Sequence, residues 1–532
     1  MMRRALIPLA FSLAPACAQV PVAPSEHPTL VVFVTIDQMR ADYLPRFDKQ
    51  LTGGLRRLYD GGAVFLQGYQ DHGITETAPG HAATMSGRFP VHTGIVMNSQ
   101  GVNGVPDAAV IGGSESIDLA ASPIRFQGTT LTDWLKAANP AARFLSVSRK
   151  DRGAILPIGR SKGDVYWWAL SNGTFTTSRY YADTLPGWVR QFNARKMAQQ
   201  YAGKAWDLLL PADAYPEPDT VAQERNGVNN VFPHPVPDDS MAAARSAAAF
   251  PWMDEITLQF ALSGLEQLGL GATANRTDVL AVSLSTTDAI GHAYGPDSRE
   301  IHDQILRLDR SLGVFFDSLF KLRDSQRIVI ALTGDHGMAP FPSLKSTIYP
   351  NHEAKLVLLT DEWHAFRERL SAAGVDSTAV SMEDAFVLLT KPEAFARRRM
   401  NADSAIATFG RDVMNVPGVL RADLLATLAL ADTTRDTIAR RWLHMFLPGG
   451  AVRLIVTLTP YSYWAWAGTI ATHGSPHDYD ANVPVVFYGA GVKPGKYPDV
   501  VRVVDMAPTL AELVGVRPLQ ALDGHALRQA IR

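Results

Sequence analysis

A chain of 532 residues, 46% hydrophobic, can bury a large core without covalent staples, and its single cysteine excludes a disulfide framework. A formal charge of −2 gives no bulk electrostatic case for nucleic acid or an anionic membrane as partner.

The N-terminus predicts export. Arg3 and Arg4 precede an apolar run over 5–16, and Ala16-Cys17-Ala18 supplies a small-x-small cleavage site. This reads as a secretory signal peptide over 1–18, leaving a mature chain of 19–532 in the periplasm or outside the cell. The run is too short to span a bilayer, and Pro8 and Pro15 interrupt it; no later stretch suits a transmembrane helix, so stable membrane insertion is not expected. Lipidation of Cys17 is the alternative, and Pro15 weakens it.

Beyond that point, short Val/Ile/Leu/Phe runs without polar alternation predict strands buried on both faces, at 30–36, 144–147, 279–284, 328–332 and 483–488. Helical spacing lies between and after them, at 307–322 and at 506–514, the latter opened by Asp505. The expected architecture is α/β, with a mostly parallel central sheet flanked by helices. Residues of about 155–275, rich in Trp, Tyr, Pro and Asn, and of about 345–465 read as insertions that cap a site.

In an open α/β sheet ligands bind beyond the carboxyl ends of strands. Asp37 follows the first run, Lys150 and Arg152 the second, Asp288 and His292 the third, and Asp335 and His336 the fourth. His473 sits in the loop leading into the fifth. An Asp after a strand is usually a turn former or cap, and a lone His is usually hydrogen-bonded structure. Three of each together make two groups of ligands that zinc accepts. Asp288 and His292, four apart, share a face on a helical turn. Thr77, with Pro79 two residues on, predicts a helix N-cap; the same helix end also suits phosphate.

The segments Thr35-Ile-Asp37-Gln-Met-Arg, Thr77-Ala-Pro-Gly-His, Asn98, Lys150-Asp-Arg152, Thr287-Asp288-Ala-Ile-Gly-His292, Gly334-Asp335-His336-Gly-Met and Thr472-His473-Gly-Ser-Pro span nearly the whole chain. In these the sequence resembles the alkaline phosphatase superfamily. The matching branch is the one shared by nucleotide pyrophosphatase/phosphodiesterases (type I phosphodiesterases) and threonine-nucleophile periplasmic alkaline phosphatases. The resemblance implies an alkaline phosphatase-like domain over 19–532 that holds two Zn2+. Asp288, His292 and His473 would hold one ion, and Asp37, Asp335, His336 and Thr77 the other. It implies in-line attack by Thr77 and hydrolysis of the resulting phosphothreonine. Lys150 and Arg152, placed alternately on an extended loop, and Asn98 are expected to grip phosphoryl oxygens. The phosphodiesterase branch lacks the Lys-x-Arg pair, so small-molecule phosphate monoesters are the expected substrates.

Hydrolysis of phosphodiesters on the same metal site is the alternative within enzymes. A non-catalytic secreted metal- or phosphate-binding protein is the alternative outside them, and it is expected to have lost a ligand or the nucleophile. A sulfatase needs a Cys or Ser where Thr77 stands. Thr75 is a rival nucleophile and His477 a rival to His473, while His72, His81 and His92 read as structural. Tyr463, Trp464 and Trp466 read as packing sooner than as a substrate pocket.

Overall fold

The computed structural model describes residues 27–104, 108–114, 117–342, 344, 354–467 and 470–532. The expected signal peptide with Cys17, and the first part of the 345–465 segment, lie outside the described residues.

A nine-stranded sheet forms the centre. Its spatial order is Gly495–Arg502, Ala63–Tyr69, Val485–Gly489, Ile328–Gly334, Leu30–Ile36, Asp278–Leu284, Phe144–Ser148, Asp164–Ala169 and Thr174–Thr176. Leu30–Ile36 runs parallel to both its neighbours, with Ile36 level with Leu284 and Gly334. Its apolar run, interrupted by Thr35 alone, is explained by burial on both faces. Leu30, Val32, Val34 and Ile36 enter one core with the helices Trp252–Gln267 and Arg299–Leu322. Val31 and Phe33 enter a second core with Thr77–Ser86, Leu131–Ala138 and Met506–Val514. The expected α/β class and mostly parallel sheet are observed.

Two strands run against the rest: Thr174–Thr176 at one edge, and Val485–Gly489 inside the sheet. Val485–Gly489 is antiparallel to Ile328–Gly334, pairing Val485 with Thr333. A strand running backwards begins where its partner ends. The loop before it, which carries His473, is therefore delivered to the same sheet edge as Asp335 and His336.

The expected helix at 307–322 begins eight residues earlier, at Arg299, where the Ser298 hydroxyl accepts the Ile301 N–H at 3.1 Å. The added turns carry Glu300, His302, Asp303 and Gln304, all buried. Asp303 accepts hydrogen bonds from Trp206 Nε1 (2.6 Å), the Tyr215 hydroxyl (2.7 Å) and the Leu209 N–H (2.7 Å). An apolar-periodicity argument passes over polar residues that are buried against one another.

The 155–275 stretch contributes Asp164–Ala169 and Thr174–Thr176 to the edge of the central sheet, and the helix Trp252–Gln267 to one of its cores. It is thus woven into the main body. Along Asp164–Ala169 the side chains are buried on both faces: Val165 and Trp167 enter one core while Tyr166 and Trp168 enter the other. The described part of 345–465 builds a separate antiparallel sheet of Val380–Glu383, Phe386–Leu389, Val452–Leu458 and Val419–Leu424. The helices Thr360–Ala372 and Ala402–Val413 cover it with a core of its own around Phe366, Phe409 and Val456. This unit is tied to the main body next to Thr77. Arg440 grips Asp71 with two bonds of 2.9 Å, and the Trp442 ring lies where a Cβ on Gly73 would fall, 2.5 Å away.

Candidate active site

The carboxyl ends of three adjacent strands carry the acidic groups. Asp37 follows Leu30–Ile36, and its N–H bonds to the Leu284 carbonyl at 2.9 Å. Asp335 follows Ile328–Gly334 and its Oδ1 accepts the Gln38 N–H at 3.0 Å. Asp288 and His292 lie on the helix Thr286–Tyr294, one turn apart, with His292 Nε2 3.3 Å from Asp288 Oδ1.

The three histidines are oriented alike. Nδ1 of His292 faces the Ala471 carbonyl at 2.7 Å, that of His336 the Gly337 carbonyl at 2.9 Å, and that of His473 the Thr75 carbonyl at 2.8 Å. A carbonyl only accepts, so each Nδ1 holds a proton and each Nε2 is turned inward. His336 Nε2 lies 3.4 Å from Asp37 Oδ1 and 3.6 Å from Asp335 Oδ2; His473 Nε2 lies 3.7 Å from Asp288 Oδ1. The His336 and His473 rings stack at 3.6 Å. Two triads have their donor atoms within 4.8 Å of one another: Asp288, His336 and His473, and Asp37, Asp335 and His336. His336 belongs to both, and His292 joins the first through Asp288.

Electrostatics make this an arrangement for cations. Burial opposes charge on Asp37, and Asp288 repels it, yet the Lys150 ammonium and His336 hold its carboxyl well below the usual range. Asp288 is likewise held low against burial, by Lys150, His292 and His336. Burial works against the His336 imidazolium, but Asp335, Asp37 and Asp288 draw it up to about 9. Burial and then repulsion from His336 and His292 hold His473 well below its ordinary value. Asp37 Oδ1, Asp288 Oδ1, Asp335 Oδ2 and His336 Nε2 are buried and make no hydrogen bond. Buried carboxylates with unused oxygens facing imidazole nitrogens are stable when a metal satisfies them. Oxygen and imidazole donors of this kind fit zinc.

Thr77 is buried, 1% exposed, and opens the helix Thr77–Ser86. The sequence predicts it as the N-cap; the cap position belongs to Glu76, and the Asn98 side chain accepts the Ala78 N–H at 2.8 Å. A capping oxygen from 20 residues away leaves the Thr77 hydroxyl uncommitted to its own helix. That hydroxyl accepts from Lys150 Nζ at 3.2 Å. Lys150, 8% exposed, also lies 2.6 Å from Asp37 Oδ2 and from Asp288 Oδ2. Arg152 does not share the expected extended loop with Lys150. It sits in the first turn of the helix Asp151–Ile155, because the chain turns helical directly after Lys150. Its positive charge is felt at Glu76, the residue before Thr77, whose carboxyl burial raises against the opposing pull of the Asn98 N–H and Arg152.

Gly80 explains the Thr-Ala-Pro-Gly-His segment. A Cβ there would lie 2.2 Å from the Asp335 carbonyl oxygen, so only glycine lets this helix approach the Asp335 loop. His81, which reads as structural in the sequence, supports the centre directly. Its Nδ1 lies 2.9 Å from the Thr77 carbonyl and 3.1 Å from Asp335 Oδ2, and its Nε2 lies 2.8 Å from the Ser283 hydroxyl. Glu76, whose carboxylate accepts the Asn98 N–H at 2.6 Å, carries no signal in the sequence that marks it out. The rivals are engaged elsewhere: Thr75 donates to the Ser475 carbonyl at 2.8 Å, and His477 Nε2 lies 2.9 Å from the Leu458 carbonyl.

This geometry has counterparts. The family model for type I phosphodiesterase/nucleotide pyrophosphatase matches residues 31–431. The chain is 32% identical to the alkaline phosphatase PhoV of Synechococcus elongatus, over 95% of this chain and 93% of that one. It is 31% identical to the alkaline phosphatase PhoK of Sphingomonas sp, over 94% and 91%. The crystal structure of wild-type alkaline phosphatase PafA superimposes with a TM-score of 0.86 at 26% identity, covering 95% of this chain and 99% of that one. A further PafA structure, with the same TM-score and 25% identity, carries substitutions at one threonine, one asparagine, one lysine and one arginine. The family model spans well over half of the sequence and the relatives nearly all of it: the chain belongs to the type I phosphodiesterase/nucleotide pyrophosphatase family of the alkaline phosphatase-like superfamily.

Proposed function

We propose that the chain is a phosphoric monoester hydrolase, an alkaline phosphatase that works through a phosphothreonine at Thr77 and holds two zinc ions. The observation that carries the reading is the Thr77 hydroxyl: buried at a helix start and 3.2 Å from Lys150 Nζ, whose ammonium lies 2.6 Å from both Asp37 and Asp288 of the two triads. Asp288, His292 and His473 would hold one ion, and Asp37, Asp335, His336 and Thr77 the other. When bound, zinc offsets the carboxylate charge and polarises phosphoryl oxygens as a Lewis acid.

The remaining work falls to the chain's own groups. The helix dipole at Thr77 favours an anion. Asn98 spends its oxygen on the Ala78 N–H, which leaves its amide nitrogen as a donor. A bond forms from Thr77 Oγ1 to phosphorus as the ester P–O bond breaks, and the alcohol leaves with the proton Thr77 gave up. Water then bonds to phosphorus, the Oγ1–P bond breaks, and inorganic phosphate departs with the hydroxyl restored. Positioning and charge stabilisation dominate such transfers. Lys150 and Arg152 supply donors for the additional anionic oxygen of a monoester. The names of PhoV, PhoK and PafA support the monoester class, and the altered threonine, asparagine, lysine and arginine of the PafA variant occur in the order of Thr77, Asn98, Lys150 and Arg152. Export to the periplasm or beyond is part of the proposal and rests on residues 1–18.

The description of the matched family favours a second reading, cleavage of diesters at the same centre. One measurement separates them: kcat/KM of zinc-loaded protein on a phosphate monoester and a diester with the same aryl leaving group. A large monoester preference is expected. A diester preference would overturn the substrate class and keep Thr77 and the metal residues.

A further inference from the structure

A cleft lies beside His473, between two walls. The inner wall is the segment His473, Gly474, Ser475 and Pro476; the outer includes Ala385 and Trp466 of the capping unit. His473 also belongs to the triad with Asp288 and His336, so the cleft shares this one residue with the proposed metal centre. Trp466 is 66% exposed, an unusual position for so large an apolar side chain with no partner ring stacked on it among the described residues.

Its orientation is nonetheless fixed. Trp466 Nε1 donates to Asp384 Oδ1 at 3.1 Å. Asp384 sits at the two-residue turn between Val380–Glu383 and Phe386–Leu389, with φ of +27°, and Ala385 beside it lines the cleft. The Asp384 charge is felt at Glu76, the residue before Thr77, and Gly474 in the opposite wall approaches Glu76 Cγ. The hairpin tip and the indole thus stand at one mouth of the cleft, on the side of Glu76. An indole held by its N–H at such a mouth keeps its faces for a flat ring.

Building on the phosphatase reading, we propose that Trp466 is the platform of a leaving-group subsite that selects monoesters whose alcohol carries a planar aromatic ring. Trp466 touches no reacting atom; it positions the departing group.

The test compares benzyl phosphate with cyclohexylmethyl phosphate. Both release a primary alcohol with a six-membered ring, and only one ring is flat. Trp466→Ala is expected to lower kcat/KM for benzyl phosphate by roughly 3- to 10-fold, the size of an aromatic pair, with the cyclohexylmethyl ester changed less than about twofold. Trp466→Phe is expected to retain the benzyl preference, and inhibition by inorganic phosphate to stay unchanged in both variants. Equal losses on the two esters, or no loss on either, would overturn the subsite while leaving the phosphatase reading intact. Failure of the wild-type enzyme to cleave either ester would overturn that reading and the subsite together.

Discussion

Arg152 offers a sharp division between substrate classes. Lys150 has two tasks in the structure, since its ammonium lies between Asp37 and Asp288 and also reaches Thr77; removing it disturbs the centre for every substrate. Arg152 has one. Its only ion pair among the described residues is with the adjacent Asp151, at 3.7 Å, and its Nε is buried without a hydrogen bond. A guanidinium so placed is available to an anion that arrives with the substrate. Hydrogen bonds to charged groups contribute about 1.5–3 kcal/mol, so Arg152→Ala should lower kcat/KM for an aryl monoester by roughly 10- to 150-fold. A diester lacks the additional anionic oxygen and should lose less than about threefold. The assay is steady-state kinetics on the paired aryl esters with zinc content verified in both proteins. Equal losses on the two esters would refute the reasoning, because they would place Arg152 in general structure sooner than in monoester recognition.

The same geometry sets other outcomes. Thr77→Ala should abolish turnover, by about 10⁴-fold or more, and acid quenching with radiolabelled substrate should trap phosphothreonine in the wild type alone. Chelation should lower Tm by roughly 5 °C or more, with recovery on adding zinc, because Asp37, Asp288 and Asp335 then face one another with Lys150 as their nearby ammonium; a Tm indifferent to chelator would count against the metal residues. Glu224, distant in sequence from the metal residues and 2% exposed, is pushed up to about 9 by burial and then by Glu300 and Asp219, against the pull of Arg299. The folded state therefore holds a proton that the unfolded chain releases near pH 4.5, and stability contributed below that value is lost as pH rises towards 9. Glu224→Gln should match the wild type near pH 5 and exceed it near pH 9, by on the order of 5 kcal/mol at most; denaturant midpoints across that range that stay parallel would contradict this.

Much of the frame was readable because apolar strands buried on both faces leave a nearly uninterrupted signature, as in Leu30–Ile36. The acidic cluster was readable for a related reason: chain topology gathers residues just beyond such strands at one edge, so Asp37, Asp288 and Asp335 came together as a set. The features that escaped were governed by long-range polar pairing. His81 looks like any helical histidine until Asp335 is brought to 3.1 Å from it, and Glu76 gains meaning only beside the Asn98 N–H. The early turns of Arg299–Leu322 were missed because their polar residues are satisfied by Trp206 and Tyr215, roughly 90 residues away. The helical placement of Arg152 was hidden since nothing in Lys150-Asp-Arg152 alone announces a helix of five residues.

The reversed strand Val485–Gly489 bears on when the enzyme can come into being. It lies between Ile328–Gly334 and Ala63–Tyr69, so an early and a middle segment of the chain are joined by a piece made almost last. During synthesis the Ala63–Tyr69 strand has no seat beside the others, and two raw strand edges stay open until about residue 490 has emerged. Premature closure of the sheet is blocked by the absence of its keystone. His473 arrives with the same late piece. A half-made chain accordingly lacks the imidazole that completes the triad of Asp288, His336 and His473.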